Sequence, residues 1–98
     1  MFLVRNVFHA KPGKAKELAA ILINASKHMH KVGVKNTKVL TDVATTFWTV
    51  VLQGEVEDLN AYVDMAKIAS KTPELGEAMK GYSDLIDNGF REIYRIES

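Results

Sequence analysis

The segment "FLVRNVFHAKPGK" (Phe2–Lys14) decides how the chain is read. Its first part, "FLVRNVFH" (2–9), alternates loosely and is rich in Val and Phe, which suits a β-strand. "KPGK" (11–14) then stops the strand, because Pro12 and Gly13 signal a turn and place the start of a helix. Asn6 shares its parity with Phe2, Val4 and Phe8, so an amide stands among the apolar side chains of one face. Two readings are open for it. Either the amide does work in a pocket, or it is bonded to its neighbours as buried polar groups usually are.

Beyond Lys14 the period changes. Ala15, Leu18, Leu22, Ala25 and Met29 recur at spacings of three and four, with Ala19 and Ile21 widening the stripe. This predicts an amphipathic helix to about Lys31, stopped at Gly33. "VKNTKVLTDV" (34–43) has polar residues on both parities and reads as an edge strand, where lysines discourage stray pairing. A short turn near Ala44–Thr45 leads to "TFWTVVLQG" (46–54), a strand of high β-propensity.

"EVEDLNAY" opens a second helical region, with Leu59, Tyr62, Val63, Ala66 and Ala69 on one stripe and Glu57 or Asp58 suited to the helix dipole at its start. Pro73 interrupts this region and opens a new helix, whose stripe of Leu75, Ala78, Met79, Tyr82, Leu85 and Ile86 runs to about Asp87. "DNG" (87–89) ends it, and "FREIYRIE" (90–97) is the last strand. The order βαββαβ predicts a single α+β domain over 1–98 of the ferredoxin-like kind, an antiparallel four-stranded sheet with both helical regions on one face. The right-handed crossover rule places the first and third strands in the centre.

Composition narrows the function. With 47% hydrophobic and 26% charged residues the chain is an ordinary globular protein. A net charge of +1 argues against a general nucleic-acid binder. The absence of cysteine excludes disulfides, zinc–thiolate sites, iron–sulfur clusters and cysteine nucleophiles. No apolar run approaches the ~20 residues that span a bilayer, so no membrane partner is expected. No charged segment followed by an apolar one opens the chain, and a cytoplasmic protein is expected.

The far side of the sheet has no element to cover it. Yet Phe47 and Val51 on the third strand and Leu3 and Val7 on the first add apolar residues on the second parity. A half-solvated sheet alternates more cleanly. Such a face marks an interface, and a second copy packing sheet to sheet with two-fold symmetry is the expected partner.

With "KPGK", "FWTVVLQG", "DLNAY" and the closing "GFREIYRI" in these places, the whole chain resembles the dimeric α/β-barrel superfamily, in particular its antibiotic-biosynthesis-monooxygenase-like and NIPSNAP-like branches. That superfamily holds cofactor-independent monooxygenases acting on aromatic substrates, haem-degrading enzymes and isomerases. In some members an Asn on the first strand works with a Trp and a His on the second helical region. The resemblance puts Asn6 at the Asn, Tyr62 at the Trp and the neighbourhood of Met79 at the His. No His follows His30, so a haem ligand from that region is missing.

The candidate pocket residues are therefore Asn6, Phe8, His28, Trp48, Tyr62, Met79 and Tyr82, around a small apolar or aromatic ligand. For Trp48, Tyr62, Met79 and Tyr82 the competing reading is plain core or interface packing. His28 and His30 are two apart, on different sides of a helix, so no metal pair is expected. "KPGK" lacks the glycine pattern of a phosphate cradle, and no cofactor is expected. Two functions remain: a small-molecule enzyme of the cofactor-independent oxygenase kind, and a non-catalytic dimeric ligand-binding or accessory domain.

Overall fold

The computed structural model describes residues 1–60 and 72–98. Four strands, β1 (Phe2–Ala10), β2 (Lys35–Thr41), β3 (Thr49–Val56) and β4 (Ile86–Arg95), form one sheet in the order β2-β3-β1-β4. All three pairings are antiparallel, and β1 and β3 occupy the centre. Helix α1 (Ala15–Ser26) follows β1, and α2 (Pro73–Ala78) precedes β4. Short 3-10 turns at Met29–Val32 and Tyr82–Leu85 complete the elements. This is the expected ferredoxin-like α+β arrangement. Among the described residues no helix is long and apolar enough to cross a membrane.

Helix α1 forms where Leu18, Ala19, Leu22 and Ala25 make one buried stripe. Its start is set by the turn at Gly13 (φ 78°) and by Glu17 in its first turn, where a carboxylate meets the positive end of the helix dipole. The stripe lies on the face of the sheet that carries the even-numbered residues of β1 and β3. Ala10, Leu18, Leu22, Val50 and Leu52 form one core cluster, with Phe8, Tyr82 and Leu85 packed against it. Val4, Ala25, Met29, Val34, Val56 and Leu75 belong to a second, with Phe2 and Leu59 at its margin. Leu18, Leu22 and Val50 are wholly buried, and each contributes about 1.5–3 kcal/mol by leaving water.

The boundaries depart from the sequence reading in three places. Helix α1 ends at Ser26, five residues before Lys31, and the stripe continues to Met29 inside a 3-10 turn closed by Gly33 (φ 86°). Strand β3 starts at Thr49, so Phe47 and Trp48 belong to a loop rather than to the strand. The loop is clasped at its base: Thr49 N–H donates to Asp42 Oδ1 (3.0 Å), Asp42 N–H donates to Thr49 O (3.1 Å), and the Thr49 hydroxyl donates to Thr46 O (2.6 Å). These local bonds close the loop ahead of the strand, and within it Trp48 is left-handed (φ 64°).

The third departure is larger. Helix α2 ends at Ala78, Gly81 turns left-handed (φ 85°), and β4 begins at Ile86 instead of Phe90. The "DNG" triplet, which reads as a turn, is strand: Asn88 pairs with His9 and Gly89 with Phe8. Gly89 is there for space. A Cβ at that position would lie 2.8 Å from Val7 O and 3.4 Å from Phe8 Cδ1. At the far end of the sheet Lys35 Nζ donates to Glu57 (2.8 Å), which raises the Lys35 ammonium and lowers the Glu57 carboxyl from their ordinary values. Both groups are solvated, so the pair adds little to stability.

Two glycines test this packing with opposite signs. Gly89→Ala forces backbone apart and is expected to cost about 1–3 kcal/mol in urea unfolding. Gly76→Ala, in α2, where an added Cβ meets nothing within 4 Å, is expected to stabilise by about 0.5–1 kcal/mol.

Candidate functional site

Asn6 lies mid-strand in β1, directly opposite Leu52 of β3 and Arg91 of β4. Cross-strand partners share a face, so all three side chains stand on the helix side. The Arg91 guanidinium donates from Nε to Asn6 Oδ1 at 2.7 Å. Arginine has donors only, so the oxygen of the amide must be the atom facing it. The amide nitrogen is therefore turned away from Arg91, and no acceptor among the described residues takes its hydrogens.

Asn6 forms part of the wall of a cleft, open to solvent, with Val4, Met29, Val34, Leu52, Gln53, Gly54 and Val56. Gln53 pairs with Arg5 and by strand parity carries its side chain on the opposite face. Of the described lining residues, Asn6 alone brings a polar side chain into an apolar space. Such a space suits a small apolar molecule with one group for the amide to grip.

The other candidates are distributed. Phe8 and Tyr82 meet edge to face, with ring centroids 6.1 Å apart at 70°. Both pack on the cluster around Leu18 and Leu22, and Met79 touches both core clusters. His28 is half-buried where α1 gives way to the 3-10 turn, its N–H donating to Ala25 O (3.0 Å). It is absent from the cleft wall, where its neighbour Met29 stands instead. Trp48, 42% exposed, sits in the loop before β3, and its carbonyl accepts Ala10 N–H (2.8 Å). Tyr62 lies outside the described residues. Among the described residues no group of three or more His, Asp or Glu is placed to share a metal ion.

Sequence reasoning missed Val34, Leu52 and Gly54 as cleft walls and Arg91 as the partner of Asn6. In sequence Arg91 reads with Arg5, Arg95 and Glu92 as part of charge pairs between the neighbouring first and last strands. The usable signal was the β1–β4 register: once Phe2 faces Arg95, Asn6 must face Arg91.

Among the described residues no element covers the opposite face of the sheet. By register it carries Leu3, Arg5, Val7 and His9 of β1, Val51 and Gln53 of β3, Leu40 of β2, and Phe90, Glu92 and Tyr94 of β4. Leu40, Phe90 and Tyr94 are exposed. His9 Nδ1 and Asn88 Oδ1 are 2.6 Å apart, and the His9 ring meets Phe90 edge-on at 6.0 Å. The Tyr94 hydroxyl donates to Glu92 (2.7 Å), and this bond holds the phenol above its ordinary pKa. Arg5 stands opposite Glu92, yet its Nε is buried with no hydrogen-bond partner.

No protein-family model matches the sequence, and neither does any curated protein. Solved structures do match. A NIPSNAP domain protein from Burkholderia xenovorans is 11% identical, with TM-score 0.80, covering 100% of this chain and 96% of that one. A NIPSNAP family protein from Agrobacterium tumefaciens is 9% identical, with TM-score 0.78 and coverage of 96% and 90%. An antibiotic biosynthesis monooxygenase-like protein from Nitrosomonas europaea is 13% identical, with TM-score 0.76 and full coverage of both chains. These are the two branches that the sequence resembles. At such identities the likeness is one of fold: this chain carries the ferredoxin-like fold found in NIPSNAP domains and antibiotic biosynthesis monooxygenase-like proteins.

The Phe8–Tyr82 contact is open to a direct check. A double-mutant cycle on Phe8→Leu and Tyr82→Leu is expected to return a coupling of about 0.5–1.5 kcal/mol in chemical denaturation. Tyr82→Phe alone is expected to stay within about 0.5 kcal/mol of the parent, since the ring makes the contact.

Proposed function

We propose that this protein is a homodimer that binds small apolar or aromatic molecules, one in the Asn6 cleft of each copy. The observation that carries the reading is a single, held amide in the wall of an otherwise apolar cleft. Asn6→Ala removes one hydrogen bond of about 0.5–1.5 kcal/mol, so affinity for a retained ligand is expected to fall about 2- to 10-fold. Native mass spectrometry on protein purified from its own host, followed by titration of the ligand found, measures this.

The bare sheet face supports the dimer. Exposed Leu40, Phe90 and Tyr94 surround an orphaned Arg5 Nε, and an unpaired buried polar group costs about 1–3 kcal/mol. A second copy laid across the face, at the ~10 Å spacing of packed sheets, covers the aromatics and brings Glu92 and Gln53 of that copy toward Arg5. Sedimentation at micromolar concentration is expected to give a dimer, and Val51→Asp, which puts a charge in the middle of that face, a monomer. A monomeric parent would remove this half of the proposal.

A second reading has the cleft catalytic, as a cofactor-independent oxygenase acting on quinol-type substrates. It is favoured by the full-length match to an antibiotic biosynthesis monooxygenase-like fold. The described wall holds an amide and no acid–base pair, which suits binding better than turnover. Oxygen uptake with a panel of hydroquinones, lost on Asn6→Ala, would favour catalysis. Silence across the panel favours the non-catalytic binding protein.

A further inference from the structure

We propose that Arg91 is a positioning residue that makes Asn6 a dedicated hydrogen-bond donor, so that the cleft selects molecules with a carbonyl oxygen over hydroxyl-bearing ones. The inference rests on the binding reading above and specifies its ligand class. A free asparagine serves either kind of ligand, because a half-turn of the amide exchanges its acceptor for its donors. Here that half-turn is blocked. It would set the amide N–H groups against a guanidinium that has only N–H groups to offer, and it would give up the 2.7 Å bond to Oδ1.

The arrangement is built from the sheet rather than from mobile loops. Asn6 and Arg91 are paired residues of adjacent antiparallel strands that keep one register from Phe2 to His9. Arg91 makes a further interaction beyond this one. Among the described residues, the other side chains that line the cleft, Val4, Met29, Val34, Leu52 and Val56, are apolar. Of the described lining side chains, Asn6 is therefore the one that offers a donor, at Nδ2, to a polar atom of an apolar guest. A ketone or quinone oxygen does this with both lone pairs available. A hydroxyl does so less well, and its own proton finds no acceptor among the described side chains of the wall.

The probes are 1-tetralone, 1-tetralol and tetralin, which share one carbon frame and differ in the polar atom. Affinities are measured by calorimetry, with the Asn6 side-chain amide followed by nitrogen–proton NMR. The parent is expected to bind the ketone about tenfold or more tightly than the alcohol, with the Asn6 amide protons shifting on ketone binding. Arg91→Met is expected to bring the ratio to about one while the ketone alone loses affinity. Arg91→Lys, which keeps a donor-only head group, is expected to retain the preference. Asn6→Asp, whose second carboxylate oxygen accepts and cannot donate, is expected to reverse it. Thermal melts of each variant identify any loss due to unfolding. Equal binding of ketone and alcohol by the parent, or a ratio unchanged in Arg91→Met, overturns the inference and leaves the binding cleft standing. Failure of all three probes, tetralin included, to bind the parent overturns the cleft and the inference together.

Discussion

The molecule depends on the pairing of β1 along both of its edges. Phe2–His9 match β3 on one side, and Phe2–Ala10 match β4 on the other. Side chains alternate along a strand, so a slip of one residue would carry Val4 and Phe8 away from the helices and bring Arg5 and His9 against them. Two neighbouring strands must agree on one register, and the burial of Val50, Leu52 and Val56 on the same side enforces it. The position of Asn6 is a by-product of that agreement. It faces the cleft because Val4 and Phe8 must face the core, and it meets Arg91 because β4 is held by the same residues.

The same rule separates two kinds of surface. On the helix side, the even-numbered residues of β1 build a core tight enough to leave Leu18 and Leu22 without contact with water. On the other side, Val7 and Val51 are buried, while Phe90 and Tyr94 stay half in water. An amide is tolerated on the first surface because Arg91 supplies a charged donor from within the sheet. A guanidinium on the second, at Arg5, lacks the corresponding acceptor at its Nε.

Much of the fold was legible because it rests on period and order. Strand alternation from Phe2 to His9, the three-and-four spacing of Leu18, Leu22 and Ala25, and the sequence of elements together led to the sheet order. What was not legible was set by contacts distant in sequence. "DNG" has the composition of a turn and became strand because Phe8 and His9 needed partners there. Phe47 and Trp48 have strand propensity and left the sheet because Asp42 and Thr49 bond to each other across the loop. For the site, Asn6 was visible as a parity anomaly, while Arg91 is 85 residues away in sequence and could be joined to it only through the strand register.

The loop before β3 has an optical consequence. Trp48 is the only tryptophan of the chain, held in a left-handed backbone conformation that side chains of its size rarely adopt. The residue is 42% exposed, beside a sheet end that carries His9 and Phe90. An indole partly in water emits at longer wavelength than one sealed from it. Excited at wavelengths that tyrosine does not absorb, the protein's emission therefore reports on one place alone, the rim of the open sheet face, and a partner that seals the indole from water there is expected to register as a blue shift without a label being attached.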